Sequence, residues 1–146
     1  RNVVTAESGN RRNGTAGTGG DGSDGKLILI VDDVEPLRRL AAAALERAGY
    51  RTLVAGDGVE AWSVAAEVPI DLLLTDIVMP GMSGRELADR MLAERPDLPI
   101  VYMTGYTGGM LELADHADSL GAEILTKPFA VVELLDAVDR QLARLR

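Results

Sequence analysis

The chain has 146 residues, with 15 Lys plus Arg against 23 Asp plus Glu, a formal charge of −8, one His and no Cys. That length allows one domain, or one domain with a tail, and the negative balance argues against unaided binding to nucleic acid, which needs a basic face. Without Cys there are no disulfides, thiolate nucleophiles or Cys-type zinc sites, and the single His116 excludes His clusters, so any chemistry rests on carboxylates, hydroxyls, Lys and bound ions.

Residues 1–25 hold 7 of the 16 glycines and only four apolar side chains, Val3, Val4, Ala6 and Ala16. Such a segment buries too little to offset its ordering entropy, so it reads as a flexible linker or tail before a domain over 26–146. The first strand is LILIV, a short unbroken apolar run of the kind buried on both faces. A helix follows with Leu37, Leu40, Ala41, Ala44, Leu45 and Ala48 at helical spacing, Pro36 in its first turn and Gly49 as its stop. A weaker strand over 51–55 leads to a helix over 59–67. Trp62 on that helix reads as packing. The second strongly apolar strand covers 70–75 and ends at Asp76. Ser83 is placed to cap a helix over 85–94, which RPDLP breaks. A fourth strand over 100–103, a short helix around Met110, Leu113, Ala114 and Ala117, and a fifth strand over 123–126 complete the pattern. His116 is expected to face solvent. The last helix carries Val131, Leu134, Leu135, Val138, Leu142 and Leu145 on one face.

Five strands alternating with five helices predict an α/β fold, a parallel sheet covered on both faces by right-handed crossovers. Five units are too few for a closed eightfold barrel. The expected architecture is therefore an open, flavodoxin-like doubly wound (βα)5 sheet of five parallel strands, order 2-1-3-4-5. Its functional crevice lies beyond the carboxyl ends of the strands.

At those ends stand Asp32-Asp33, Asp76, Thr104 and Lys127-Pro128. Taken singly each has an ordinary reading, as a turn acid, a helix cap or a solvated charge. Together they crowd three carboxylates into one shallow place, an arrangement that calls for a hard divalent cation with oxygen ligands. The chain also writes Arg thirteen times and Lys only twice, yet Lys stands at 127, where a compact point charge serves better than a fork.

These motifs carry a resemblance. Over residues 26–146, LILIVDD, LLLTDIVMPGMSG, IVYMTG and ILTKPF make the sequence similar to the receiver domains of bacterial two-component response regulators. The resemblance implies that Asp76 is the phosphoacceptor, attacking the phosphorus of a phosphohistidine in line. It implies Mg2+ held by Asp32, Asp33, Asp76 and the backbone carbonyl of Val78. Lys127 would neutralise a phosphoryl oxygen, Thr104 would donate its hydroxyl to the same group, and the Lys127–Pro128 peptide would be cis. Gly105 would leave room for the loop after Thr104. Val78 and Tyr106 would flank the phosphoryl group, and neither can orient a hydrolytic water.

The sequence departs from the family at Ile124, where many receivers carry Tyr or Phe. With the shortened stretch before Lys127, this is closer to receivers attached to histidine kinases. The expected setting is therefore the C-terminal receiver of a hybrid sensor histidine kinase, with a stand-alone receiver as the alternative. Expected partners are a histidine kinase or histidine phosphotransfer domain, docking on the first helix and the fifth strand. No direct nucleic acid or membrane contact is expected, the state is a monomer or weak dimer, and the setting is cytoplasmic. Two other classes compete. A haloacid-dehalogenase-type phosphatase also uses an Asp nucleophile with Mg2+, but Asp76-Ile77-Val78 lacks the second acid of its Asp-x-Asp motif. A non-phosphorylated scaffold receiver has no need of the intact acidic, Thr and Lys set.

Overall fold

The computed structural model describes residues 4–5, 25–105 and 110–144, with backbone alone for 4–5 and 110–113. Five strands and five helices alternate as the sequence predicts: β1 Leu27–Val31, α1 Glu35–Arg47, β2 Arg51–Ala55, α2 Gly58–Glu67 and β3 Leu72–Asp76 form the first half. The second half is α3 Gly84–Glu94, β4 Ile100–Thr104, α4 Met110–Leu120, β5 Glu123–Thr126 and α5 Val131–Ala143. The five strands run parallel in the order β2-β1-β3-β4-β5, so β1 and β3 sit side by side at the centre. On the outer edge of β2 an additional two-residue strand, Val4–Thr5, pairs antiparallel with Val54 and Leu53. It lies inside the segment expected to be a linker.

The unbroken apolar runs have a simple cause. Alternate residues of a strand point to opposite faces, and here both faces are covered. Leu27, Leu29, Val31, Leu73 and Ile100 pack with Ala61, Val64, Leu87 and Met91 under α2 and α3. Ile28, Ile30, Leu72, Leu74, Val101 and Met103 face the other way, against Ala41, Leu45, Leu134 and Val138 of α1 and α5. Half-buried Trp62 packs against the first of these layers, as expected.

Local signals set the helix ends. Pro36 stands in the first turn of α1 beside acidic Glu35. Gly49, at φ 102°, turns the chain out of that helix in the left-handed region that glycine tolerates best. Asp57 caps α2 by accepting from the Glu60 amide at 2.8 Å, and Ser83 caps α3 by accepting from Glu86 at 3.1 Å. In α5 the Glu133 carboxylate accepts from the Ala130 amide at 2.8 Å.

Two apolar stripes are read too widely in the sequence. Leu37 and Leu40 are 39 % and 59 % exposed, and Val131 is 47 % exposed, so none belongs to the core. Ala41, Ala42 and Ala44 bring α1 close to the sheet, while the leucines extend past it toward the end of β5. Leu145 lies outside the described residues. Among the described residues no helix is long and apolar enough to cross a membrane.

Candidate functional site

Parallel strands put their carboxyl ends on one edge, and the central pair delivers acids there. β1 runs into Asp32-Asp33, and β3 ends on Asp76. One carboxylate oxygen from each of Asp32, Asp33 and Asp76 lies within 4.8 Å of the others. Asp32 and Asp76 are buried, at 1 % and 7 % exposure, while Asp33 is open to solvent. This geometry suits a hard cation, which takes oxygen ligands and keeps several waters on its open side.

Lys127 completes the centre from β5. Its Nζ donates to Asp32 Oδ2 at 3.0 Å and lies 3.5 Å from Asp76 Oδ2. The other oxygens are held by main chain: Asp32 Oδ1 accepts from the Val34 amide at 2.9 Å, and Asp76 Oδ1 from the Ile77 amide at 3.0 Å. Burial pushes the Asp76 carboxyl above its ordinary pKa, and the negative charges of Asp32 and Asp33 add to this, while Lys127 opposes it. The Lys127–Asp32 pair is partly buried, so losing one of its partners costs more than at the surface.

Thr104 ends β4 and is buried at 1 % exposure. Its carbonyl accepts from the Lys127 amide at 2.8 Å, which couples the ends of β4 and β5. The Lys127–Pro128 peptide is cis, in agreement with the expectation. Val78 stands on the loop after β3 with its side chain 63 % exposed. Tyr106 lies outside the described residues. Ile124 pairs in register with Tyr102 and is half-buried in the layer under α2 to α4.

Sequence reasoning missed three features around this centre. The first is Gly84, the first residue of α3, which packs so tightly that a Cβ there would overlap the backbone carbonyl of Asp76. Its amide donates to the Ile77 carbonyl at 2.9 Å. Its only sequence signal is its place next to the Ser83 cap. The second is Arg38, half-buried on α1, whose Nη1 donates to the Asp32 carbonyl at 2.9 Å.

The third corrects the expectation for His116, whose side chain is only 17 % exposed. Its Nε2 lies 3.2 Å from the hydroxyl of fully buried Tyr102, and the ring centroids are 5.9 Å apart. Burial lowers the His116 pKa from 6.5, Arg85 lowers it further and Asp89 opposes. Neutral His is favoured in the fold, so its contribution is complete above the unfolded value and falls as pH drops through about 6.5. Between about pH 8 and pH 5 the wild type is expected to lose more of its Tm than His116→Gln, which does not titrate. Parallel melting curves for the two proteins would refute this assignment.

The sequence model of the response regulator receiver domain matches residues 28–139. The chain is 39 % identical over 117 residues to the response regulator receiver protein CpdR of Brucella abortus, spanning 80 % of this chain and 97 % of that protein. It is 35 % identical over 116 residues to sporulation initiation phosphotransferase F of Bacillus subtilis, spanning 79 % and 92 %. Among solved structures, a CheY-like response regulator receiver domain protein from Methanospirillum hungatei aligns with a TM-score of 0.75 at 30 % identity, covering 82 % of this chain and 95 % of that one.

Proposed function

Since the chain belongs to the response regulator receiver domain family, we propose that Asp76 is the phosphoacceptor of a two-component relay. The observation that carries this reading is the Asp76 carboxylate at the end of β3, with Lys127 Nζ at 3.5 Å and the Asp32 and Asp33 carboxylates beside it. An Asp76 oxygen attacks the phosphorus of a phosphohistidine in line. The P–N bond breaks, its electron pair stays on the imidazole nitrogen, and that nitrogen takes up a proton. Lys127 follows the negative charge from the carboxylates to the phosphoryl oxygens, and the Thr104 hydroxyl donates to the same group. The domain is a signalling module that assists its own phosphorylation.

Mg2+ fits the oxygen donor set of Asp32, Asp33 and Asp76, with the Val78 carbonyl as a further ligand, and when bound it neutralises phosphoryl charge. The residues themselves do the positioning. The Ile77 amide fixes one Asp76 oxygen, and the paired ends of β4 and β5 hold Thr104 and Lys127 in place.

The donor docks beside the centre. Leu37, Leu40, Phe129, Val131 and Leu134 line an apolar groove of about 390 Å³ that reaches Lys127. A helical hairpin bearing the phosphohistidine, on a kinase or a histidine phosphotransfer domain, buries this face while presenting its imidazole to Asp76. The domain's net negative charge supports protein partners rather than direct nucleic acid contact. Ile124 supports placement within a hybrid sensor histidine kinase with a cytoplasmic site of action.

Mixing the protein with a histidine-phosphorylated donor tests the proposal. Label is expected to move to this chain and to be released by hydroxylamine, as an acyl phosphate is; label that stays on the donor contradicts it. Exposed, apolar Val78 offers no group to orient a hydrolytic water. The phosphorylated domain is therefore expected to decay over minutes or longer in a label-chase experiment. Decay within seconds would show an aid to hydrolysis within the domain.

A further inference from the structure

The two acids after β1 sit where regular structure has ended, so something other than the sheet must hold their main chain. The Asp32 amide donates to the Ala55 carbonyl at 3.2 Å, the last tie to β2. Beyond it the Asp32 carbonyl accepts from Arg38 Nη1 at 2.9 Å, a bond that reaches back six residues from α1. The same guanidinium lies over Gly56: a Cβ built there would be 3.4 Å from Nη1 and 3.7 Å from Cζ. Glu60 of α2 accepts from the Gly56 amide through Oε1 at 2.9 Å. The second Glu60 oxygen, Oε2, is buried and has no hydrogen-bond partner. A half-buried carboxylate and a half-buried guanidinium thus meet at Gly56 in the β2–α2 loop, and the guanidinium holds the Asp32–Asp33 peptide.

We infer that Arg38 is a positioning residue: it fixes the main chain between Asp32 and Asp33 so that the Asp33 carboxylate converges with Asp76 on a divalent cation. The inference rests on the proposed reading of the site as a cation-assisted phosphoacceptor. Asp32 has two further restraints on its carboxylate, the Val34 amide and Lys127. The exposed Asp33 side chain depends on its own main chain for its direction. A planar fork with several donors suits this task, since it can bond the carbonyl while the rest of the guanidinium stays beside Gly56. Groups that orient metal ligands in this way commonly set metal affinity by a factor of ten or more. Loss of Arg38 therefore falls on cation affinity and leaves the Asp32–Lys127 contact in place.

The test is titration of the full chain with MgCl2 by calorimetry, alongside the Mg2+ dependence of phosphorylation by a small phosphodonor. Arg38→Met is expected to raise the Mg2+ dissociation constant about tenfold. Its phosphorylation rate should recover toward wild type at saturating Mg2+. Arg38→Lys, which keeps one donor but not the fork, is expected to weaken binding about threefold. It serves as the reporter if Arg38→Met does not fold. Affinity within twofold of wild type in the folded variant overturns the inference, as does a rate loss that saturating Mg2+ does not restore. Asp33→Asn separates the two readings. If wild type binds Mg2+ and Asp33→Asn does not, unchanged affinity in the Arg38 variants refutes the positioning role alone. If wild type binds no Mg2+, the proposed function fails together with it.

Discussion

Asp76→Asn is expected to be more stable than the wild type in the absence of metal, and to take up no phosphoryl group at all. The two outcomes have separate causes. Burial and the neighbouring charges of Asp32 and Asp33 hold the Asp76 carboxyl above its ordinary pKa, with Lys127 only partly opposing them. The folded state therefore binds the proton more tightly than the unfolded chain. At neutral pH the ionised carboxylate costs stability, and that cost disappears as pH falls through the folded value. Asn imitates the protonated form in shape and removes the charge. A rise in Tm is therefore expected at neutral pH. The same change deletes the nucleophile. Calorimetric scans with a chelator present check the first part, and a wild type more stable than Asp76→Asn under those conditions would refute it.

Gly84→Ala should show the largest loss of stability of any single methyl added near the site. The new Cβ has no room, because the Asp76 backbone carbonyl occupies its place and the Ile77 Cα lies 3.0 Å away. Neither is the end of a flexible side chain, so α3 or the β3 end has to shift. Overpacking of this kind costs about 2–3 kcal/mol. The shift is carried to the nucleophile, and phosphorylation is expected to slow about tenfold or more, since small misplacements of reacting groups are costly. Gly105→Ala is the comparison, because among the described residues its Cβ would meet only Lys127 Cβ at 3.8 Å, an ordinary contact. Denaturant unfolding of the two variants should place Gly84→Ala well below Gly105→Ala. Equal midpoints would mean that α3 does not set the position of Asp76.

The sheet was legible because burial on two faces leaves no polar alternation. LILIV and LLL could hardly be anything but central strands, and the acids at their ends follow from the parallel arrangement. The site's members were legible for the same reason, as strand ends on one edge. Contacts between elements were not. The spacing of Leu37 and Leu40 announces an apolar stripe but not what covers it, and in the fold they lie beside the groove at Phe129. His116 looks like a surface residue on a weak helix until β4 brings the Tyr102 hydroxyl to it. Arg38 and Gly84 act through backbone carbonyls, which carry no side-chain signature in a sequence. Val4–Thr5 gains its partner only because β2 is the edge strand.

The most direct test of Asp76 as a cation-dependent phosphoacceptor is the intact mass of the protein after incubation with Mg2+ and a small phosphodonor. One phosphoryl group is expected, mapped by peptide analysis to Asp76 and absent when Mg2+ is chelated. An unmodified mass with Mg2+ present, or a phosphoryl group on any other residue, would contradict it.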